Sequence, residues 1–297
     1  ALDTKAVTGF KAEQIDALKP QAIAGFKAEQ IAKVTASALS ALDKKQMKAI
    51  APEAIAGLTK NHIIAINPKA LKAINAEHMS NLSTSVIRKM DDEQLDSLPD
   101  ESFAGLRSVQ VKKLPKSFLS EINKDIVDAL TPEAVGGLRP TQITALQPSA
   151  IAALDATQVA RLNPKAVKSL SSDQFQSLSS DSITGLQPKQ LKKLPKDIFV
   201  DISSKQISSI SPKSISAIKP RILNSLDDSQ IAGFSSLQLQ SFSAKQVKKA
   251  SNDFIGSLSK TQLDAFRTGS RSLRNIEEEI QAELNQLLGN TQQQTFL

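Results

Sequence analysis

The residues of this chain that could do chemistry are few, and their spacing repeats. Two lysine-rich segments echo each other eighty residues apart: Gln110-Val-Lys-Lys-Leu-Pro-Lys-Ser-Phe118 and Gln190-Leu-Lys-Lys-Leu-Pro-Lys-Asp-Ile198. Gln246-Val-Lys-Lys249, followed by Phe254, is a third and partial copy. Lys112, Lys113, Lys116, Lys192, Lys193, Lys196, Lys248 and Lys249 are therefore the candidate binding residues, suited to an anionic partner. Residues 185–275 carry 15 Lys and Arg against 6 acids, whereas the rest of the chain is slightly acidic. Lys205, Lys213, Lys219 and Lys245 extend the same basic stretch. No Trp or Tyr interleaves with it, and its Phe residues are not set among the lysines as stacking residues, so stacking on a single nucleic-acid strand is not expected. His62 and His78 are the only histidines. Sixteen residues apart, they are expected on adjacent coils, but no third ligand accompanies them and no metal site is expected. Cysteine is absent, which excludes disulfides and thiol chemistry. Neither a glycine-rich phosphate loop nor a nucleophile elbow is present. The expectation is a protein that is not an enzyme, with no cofactor and no small-molecule substrate.

The element that must position these lysines is an eight-residue repeat. Apolar pairs spaced i, i+3 recur every eight residues, from Val7/Phe10 and Ile15/Leu18 to Leu263/Phe266. The register holds for 33 octads without insertion or deletion, and its one weak member is Ala250, partner of Val247. With the apolar residues numbered 5 and 8, position 1 is Ser, Thr, Asp or Asn in about two-thirds of octads. All 13 prolines fall at position 1 or 2, position 3 is often acidic and position 4 is often Gln. That order is a helix start, with a polar cap, proline in the first turn and a capping-box residue after it. Each octad is thus predicted to be one short helix followed by a corner.

A single long helix is excluded, because eight residues turn through about 800° and an apolar stripe would wrap the axis. A strand is excluded too, since i, i+3 spacing puts the two apolar residues on opposite faces. Helices this short draw their stability from neighbours. The fold expected is all-α, a solenoid of 33 short helices.

Position 4 alternates between Ala (Ala6, Ala22, Ala38, Ala54, Ala70) and Gln or His (Gln14, Gln30, Gln46, His62, His78). Glycine at position 7 falls only in the Ala phase, at Gly9, Gly25, Gly57, Gly105, Gly137, Gly185 and Gly233. The alternation predicts 16-residue coils of two unlike helices, giving an elongated rod on the order of 150 Å at about 9 Å per coil. Lysine at position 7 displaces the usual small residue and predicts wider spacing between coils at the lysine pairs.

Residues 1–266 read as the octad solenoid, beginning inside a repeat and so expected to derive from a longer array. Residues 267–297 read as a separate end: a turn at Arg267-Thr-Gly-Ser270, a capping or docking helix with a Leu273, Ile276, Ile280, Leu284, Leu287 stripe, and a loose tail. No apolar run is long enough to span a membrane.

The octad, as in Thr131-Pro-Glu-Ala-Val-Gly-Gly-Leu138, resembles the short helical repeats of the mesothelin and stereocilin group. The resemblance covers nearly the whole chain. It implies a superhelical protein of the cell surface or extracellular space, with a structural or adhesive role. The functional expectation is a structural or interaction rod that meets a protein partner or its own copies, the alternative being a polyanion-binding solenoid.

Overall fold

A computed structural model describes residues 3–269. The stripe from Leu273 to Leu287 and the tail beyond it lie outside the described residues. Each octad folds as one short helix. Thirty-two of them run between Thr4 and Gly256, each four to six residues long. A further helix starts at residue 260, and no strand occurs among the described residues. Two elements, Ala54–Gly57 and Asp100–Gly105, wind as the tighter 3₁₀ form. The fold is an all-α solenoid. Its chain divides into two compact units, residues 1–178 and 179–297.

Many of the helices owe their start to the position 1 residue just before them. Asp43, at position 1, has extended backbone (φ −88°, ψ 174°), and its carboxylate accepts the Gln46 N–H at 2.6 Å. Asp155, Asp91, Ser171 and Asn123 cap their helices in the same way. Proline is the first helical residue at Pro132, Pro148 and Pro164, where its missing N–H costs nothing. No residue among those described has a positive φ, so the corners are turned by extended backbone at position 1 and need no left-handed glycine.

The core is built from positions 5 and 8. Ile15, Ile63, Val111, Ile143 and Val159 are fully buried, and Leu146, Leu154 and Leu162 nearly so. Position 4 joins them, whether as Ala134 and Ala166 or as the larger Phe118, Ile198 and Phe254. Around the weak octad, Val247 and Ala250 are only half-buried. Phe234, Phe242, Phe254 and Phe266 fill that region, with neighbouring ring centroids 5.7–6.4 Å apart.

The helices that pack closely are three octads apart in sequence. Pro132–Val135 lies against Ala156–Arg161, and Pro212–Ile215 against Ser236–Gln240. Side-chain bonds from position 4 reach one octad further. Within each unit a turn of the superhelix therefore takes between 24 and 32 residues. This corrects the 16-residue coil predicted from the alternation, and the length estimated from that coil falls with it. The cause is visible at position 4 of the second unit. Gln230, Gln238 and Gln246 stand in consecutive octads and make equivalent bonds, so the two phases are geometrically alike.

The turn predicted at Arg267 is also corrected. Residues 260–269 are helical throughout, and the Thr268 hydroxyl bonds the Asp264 carbonyl at 2.8 Å. The i, i+4 spacing continues past the last octad, and nothing in Arg267-Thr-Gly forces the chain out of it.

Candidate functional site

Two kinds of polar group matter here: those the solenoid consumes internally and those it leaves facing solvent. Position 4 glutamine belongs to the first kind. Gln142 is completely buried. Its Oε1 accepts the Arg139 N–H at 3.0 Å, at the start of its own helix. Its Nε2 donates to the Val111 carbonyl at 2.9 Å and the Leu114 carbonyl at 3.0 Å, 31 and 28 residues earlier. Those are position 5 and 8 carbonyls; the Val111 carbonyl also accepts the Leu114 N–H at 3.1 Å, whereas the Leu114 carbonyl lies past the helix end, where internal donors run out. One amide thus satisfies three backbone groups on two turns, matching its single acceptor and two donors to them. Gln46, Gln94, Gln110, Gln158 and Gln174 repeat the arrangement in the first unit. Gln230, Gln238, Gln246 and Gln262 repeat it in the second.

His62 and His78 are rungs of the same ladder. His78 Nδ1 accepts the Asn75 N–H at 3.3 Å, and its Nε2 lies 2.8 Å from the Ile50 carbonyl. His62 Nδ1 accepts the Thr59 N–H at 3.2 Å, and its ring bonds the Val34 carbonyl. Burial pushes the His62 imidazole below its usual pKa, while the Val34 carbonyl works the other way. The two rings are committed to separate carbonyls. No group of three His, Cys, Asp or Glu that could hold a metal ion occurs among the described residues.

The sequence-predicted lysines are of the second kind, and all eight are exposed. Lys112 and Lys192 cap the C-termini of Ser108–Val111 and Pro188–Leu191, and Lys113 and Lys193 follow them. Lys116 and Lys196 open the next helices, Lys116–Glu121 and Lys196–Val200. Lys248 ends Ala244–Lys248 and Lys249 is its cap.

Of these, Lys192 lines a cleft of about 380 Å³ in the second unit. There it meets Lys189, Lys219 and Lys245 over a floor of Pro188, Ala217, Ile218 and Pro220, and no acid lines the space. Lys193, Lys196, Lys248 and Lys249 do not line it. Lys113 lines a separate cleft in the first unit, which Lys112 and Lys116 do not share.

Lys189 escaped sequence reasoning because the signal is a 29-residue register, not the octad. Position 7 of one octad meets position 2 of an octad 29 residues earlier. A Cβ added to Gly137 would fall 2.3 Å from the Ser108 carbonyl, and one added to Gly57 2.0 Å from the Ala28 carbonyl. Ala217 and Pro188 are related by the same interval, and both line the cleft.

Fold and clefts together define the class, a short-helix α-solenoid with a ladder of buried amides and lysine-lined grooves. No protein-family model matches the chain, and no curated protein matches it at a significant level. Among the described residues no helix is long and apolar enough to cross a membrane.

Proposed function

We propose that the protein is a non-catalytic interaction scaffold, acting as a spacer, adhesive segment or filament component through its exposed helix faces. The observation that carries this reading is the fate of the buried polar groups. Position 4 amides are spent on carbonyls of the neighbouring turn, and the regular octads leave no inserted loop in which to assemble a reaction centre. What remains for recognition is the outward set of positions 2, 3 and 6. Among these, Ile64, Val109, Val200 and Leu237 are large apolar residues from 47% to 66% exposed. These four are the side chains through which another protein, including a second copy, would be engaged in this reading. Sedimentation velocity across a concentration series tests the self-assembly form. Concentration-dependent association that disappears when the four residues become Ser, with helical circular dichroism unchanged, is expected. A monomer at all concentrations would remove self-assembly from the reading. The resemblance to mesothelin-like repeats extends the proposal to a cell-surface or extracellular setting, which protease shaving of intact source cells would check.

The second unit supports another reading, binding of a polyanion such as nucleic acid or a sulfated glycan. Its specific support is the convergence of Lys189, Lys192, Lys219 and Lys245 on one acid-free cleft. Heparin or duplex DNA should bind with an affinity that falls steeply with salt. The triple variant K192Q/K219Q/K245Q should flatten that slope. Salt-independent binding, or none, would remove this reading and leave the scaffold intact.

A further inference from the structure

The cleft of the first unit differs from the one above in origin and in lining. At Gly57, Gly105 and Gly137 a single added carbon would lie 1.8–2.3 Å from a backbone carbonyl oxygen 29 residues earlier, so these crossings close backbone to backbone. Two crossings between them are built in the opposite way. In the same register Lys89 stands over Lys60, and Lys113 over Thr84. A lysine cannot enter the space a glycine leaves, so these crossings stay open, and a cavity of about 300 Å³ lies there. Its lining is Lys60, Thr84, Ser85, Arg88, Lys89 and Lys113, which supplies four cations, two hydroxyls and no carboxylate.

The four cations are all solvent-exposed, and none forms an ion pair among the described residues. The Ser85 hydroxyl lies 2.8 Å from that of Ser83, so it is already oriented. Arg88 brings a planar fork of donors suited to two oxygens of one phosphate, and the lysines add mobile point charges around it. Four like charges on one small space repel, and a compact ligand carrying several negative charges relieves that repulsion more fully than separate monovalent ions. A long polymer would follow a stripe of charge rather than a pit. The cleft of the second unit has an apolar floor, whereas here every lining residue is polar or charged.

We infer that this cleft is a binding site for a compact oligophosphate, a soluble small molecule bearing two or more phosphate groups. The test is calorimetric titration of the full chain with tripolyphosphate, with inorganic phosphate and a heparin fragment as comparison ligands. Background from the other cleft is removed by working in K219Q/K245Q. Saturable binding of tripolyphosphate, far tighter than that of inorganic phosphate, is expected. R88Q/K113Q should weaken it by about tenfold or more, the scale of losing charge-assisted hydrogen bonds to phosphate. K112Q/K116Q removes the same net charge from lysines just outside the cleft and should change affinity by no more than about twofold. Equal losses in the two double variants would mean a diffuse field and would overturn the inference. So would absence of saturable binding, or a heparin fragment that outcompetes tripolyphosphate equally well in R88Q/K113Q. Circular dichroism of R88Q/K113Q, expected to match the parent, separates lost binding from lost structure.

Discussion

At the scale of the residue, the amide at position 4 is the group on which the architecture turns. Removing it takes the side-chain donor from the Leu114 carbonyl and one of two donors from the Val111 carbonyl, and a buried polar group left unmade costs more than the bond it made was worth. Gln142→Ala should therefore destabilise by about 2–4 kcal/mol in urea unfolding. Gln142→His should retain part of that stability above neutral pH, because His62 and His78 occupy equivalent slots, each accepting the N–H at its own helix start and meeting one earlier carbonyl where glutamine meets two. Histidine makes the rung titratable. With the folded-state pKa of His62 held below the ordinary 6.5, the unfolded chain takes up the proton first. Stability from this site is thus present above about pH 6.5 and is lost as pH falls through the folded-state value. Acid unfolding curves of the parent should show a dependence that His62→Gln reduces, and an unchanged curve would place the acid sensitivity elsewhere. Ser102 is the opposite case, a completely buried hydroxyl whose oxygen has no hydrogen-bond partner. Ser102→Ala should leave stability unchanged or raise it by up to about 1 kcal/mol, measured in the same way.

At the scale of the element, the octads explain why so much of the fold was legible and why the rest was not. The i, i+3 pairs, the polar residue at position 1 and the first-turn prolines act within eight residues, and they specify a short helix and its start directly. Val111, Leu114 and Asp155 do in the structure what their positions predict. The turn size was hidden, because alternation of Ala with Gln is chemical and does not set stacking. Gln230 and Gln246 occupy slots in the Ala phase yet bond like their neighbours. The candidate lysines were half legible for a related reason. Lys112 and Lys113 are adjacent in sequence, but only Lys113 lines the first unit's cleft, whereas of the equivalent pair it is Lys192 and not Lys193 that lines the second unit's. Glycine carries the same lesson and a prediction. Gly57 and Gly256 both end short helices, but an added Cβ at Gly256 would meet nothing within 4 Å. At Gly57 it would lie 2.0 Å from the Ala28 carbonyl. Gly57→Ala should cost about 1–3 kcal/mol by forcing two turns apart. Gly256→Ala should match or exceed the parent's stability, and comparable losses at both sites would refute the close-approach account.

At the scale of the whole molecule, each turn within a unit touches only its neighbours, the condition under which stability is a sum of repeat and interface contributions. Equivalent octads then make the register modular. Deleting residues 139–146, one complete octad, leaves every later position 4 amide with position 5 and position 8 carbonyls 31 and 28 residues before it. That variant should keep parental helicity per residue and a cooperative thermal transition by circular dichroism. Deleting residues 139–142 breaks the octad phase at the junction, so amides up to 31 residues beyond it lose their carbonyl partners, and should lower and broaden the transition. The amide bonds also set a limit on how far along the chain any residue must search for its partner. The longest of them joins residues 31 apart, no more than about 0.1 of the chain's length, which lies in the range of fast-folding helical proteins. Folding can therefore advance from one end as synthesis proceeds, each new turn docking as soon as the thirty or so residues beneath it have emerged. A chain built this way lengthens without slowing its own assembly, because adding octads adds no longer-range contact than those already made.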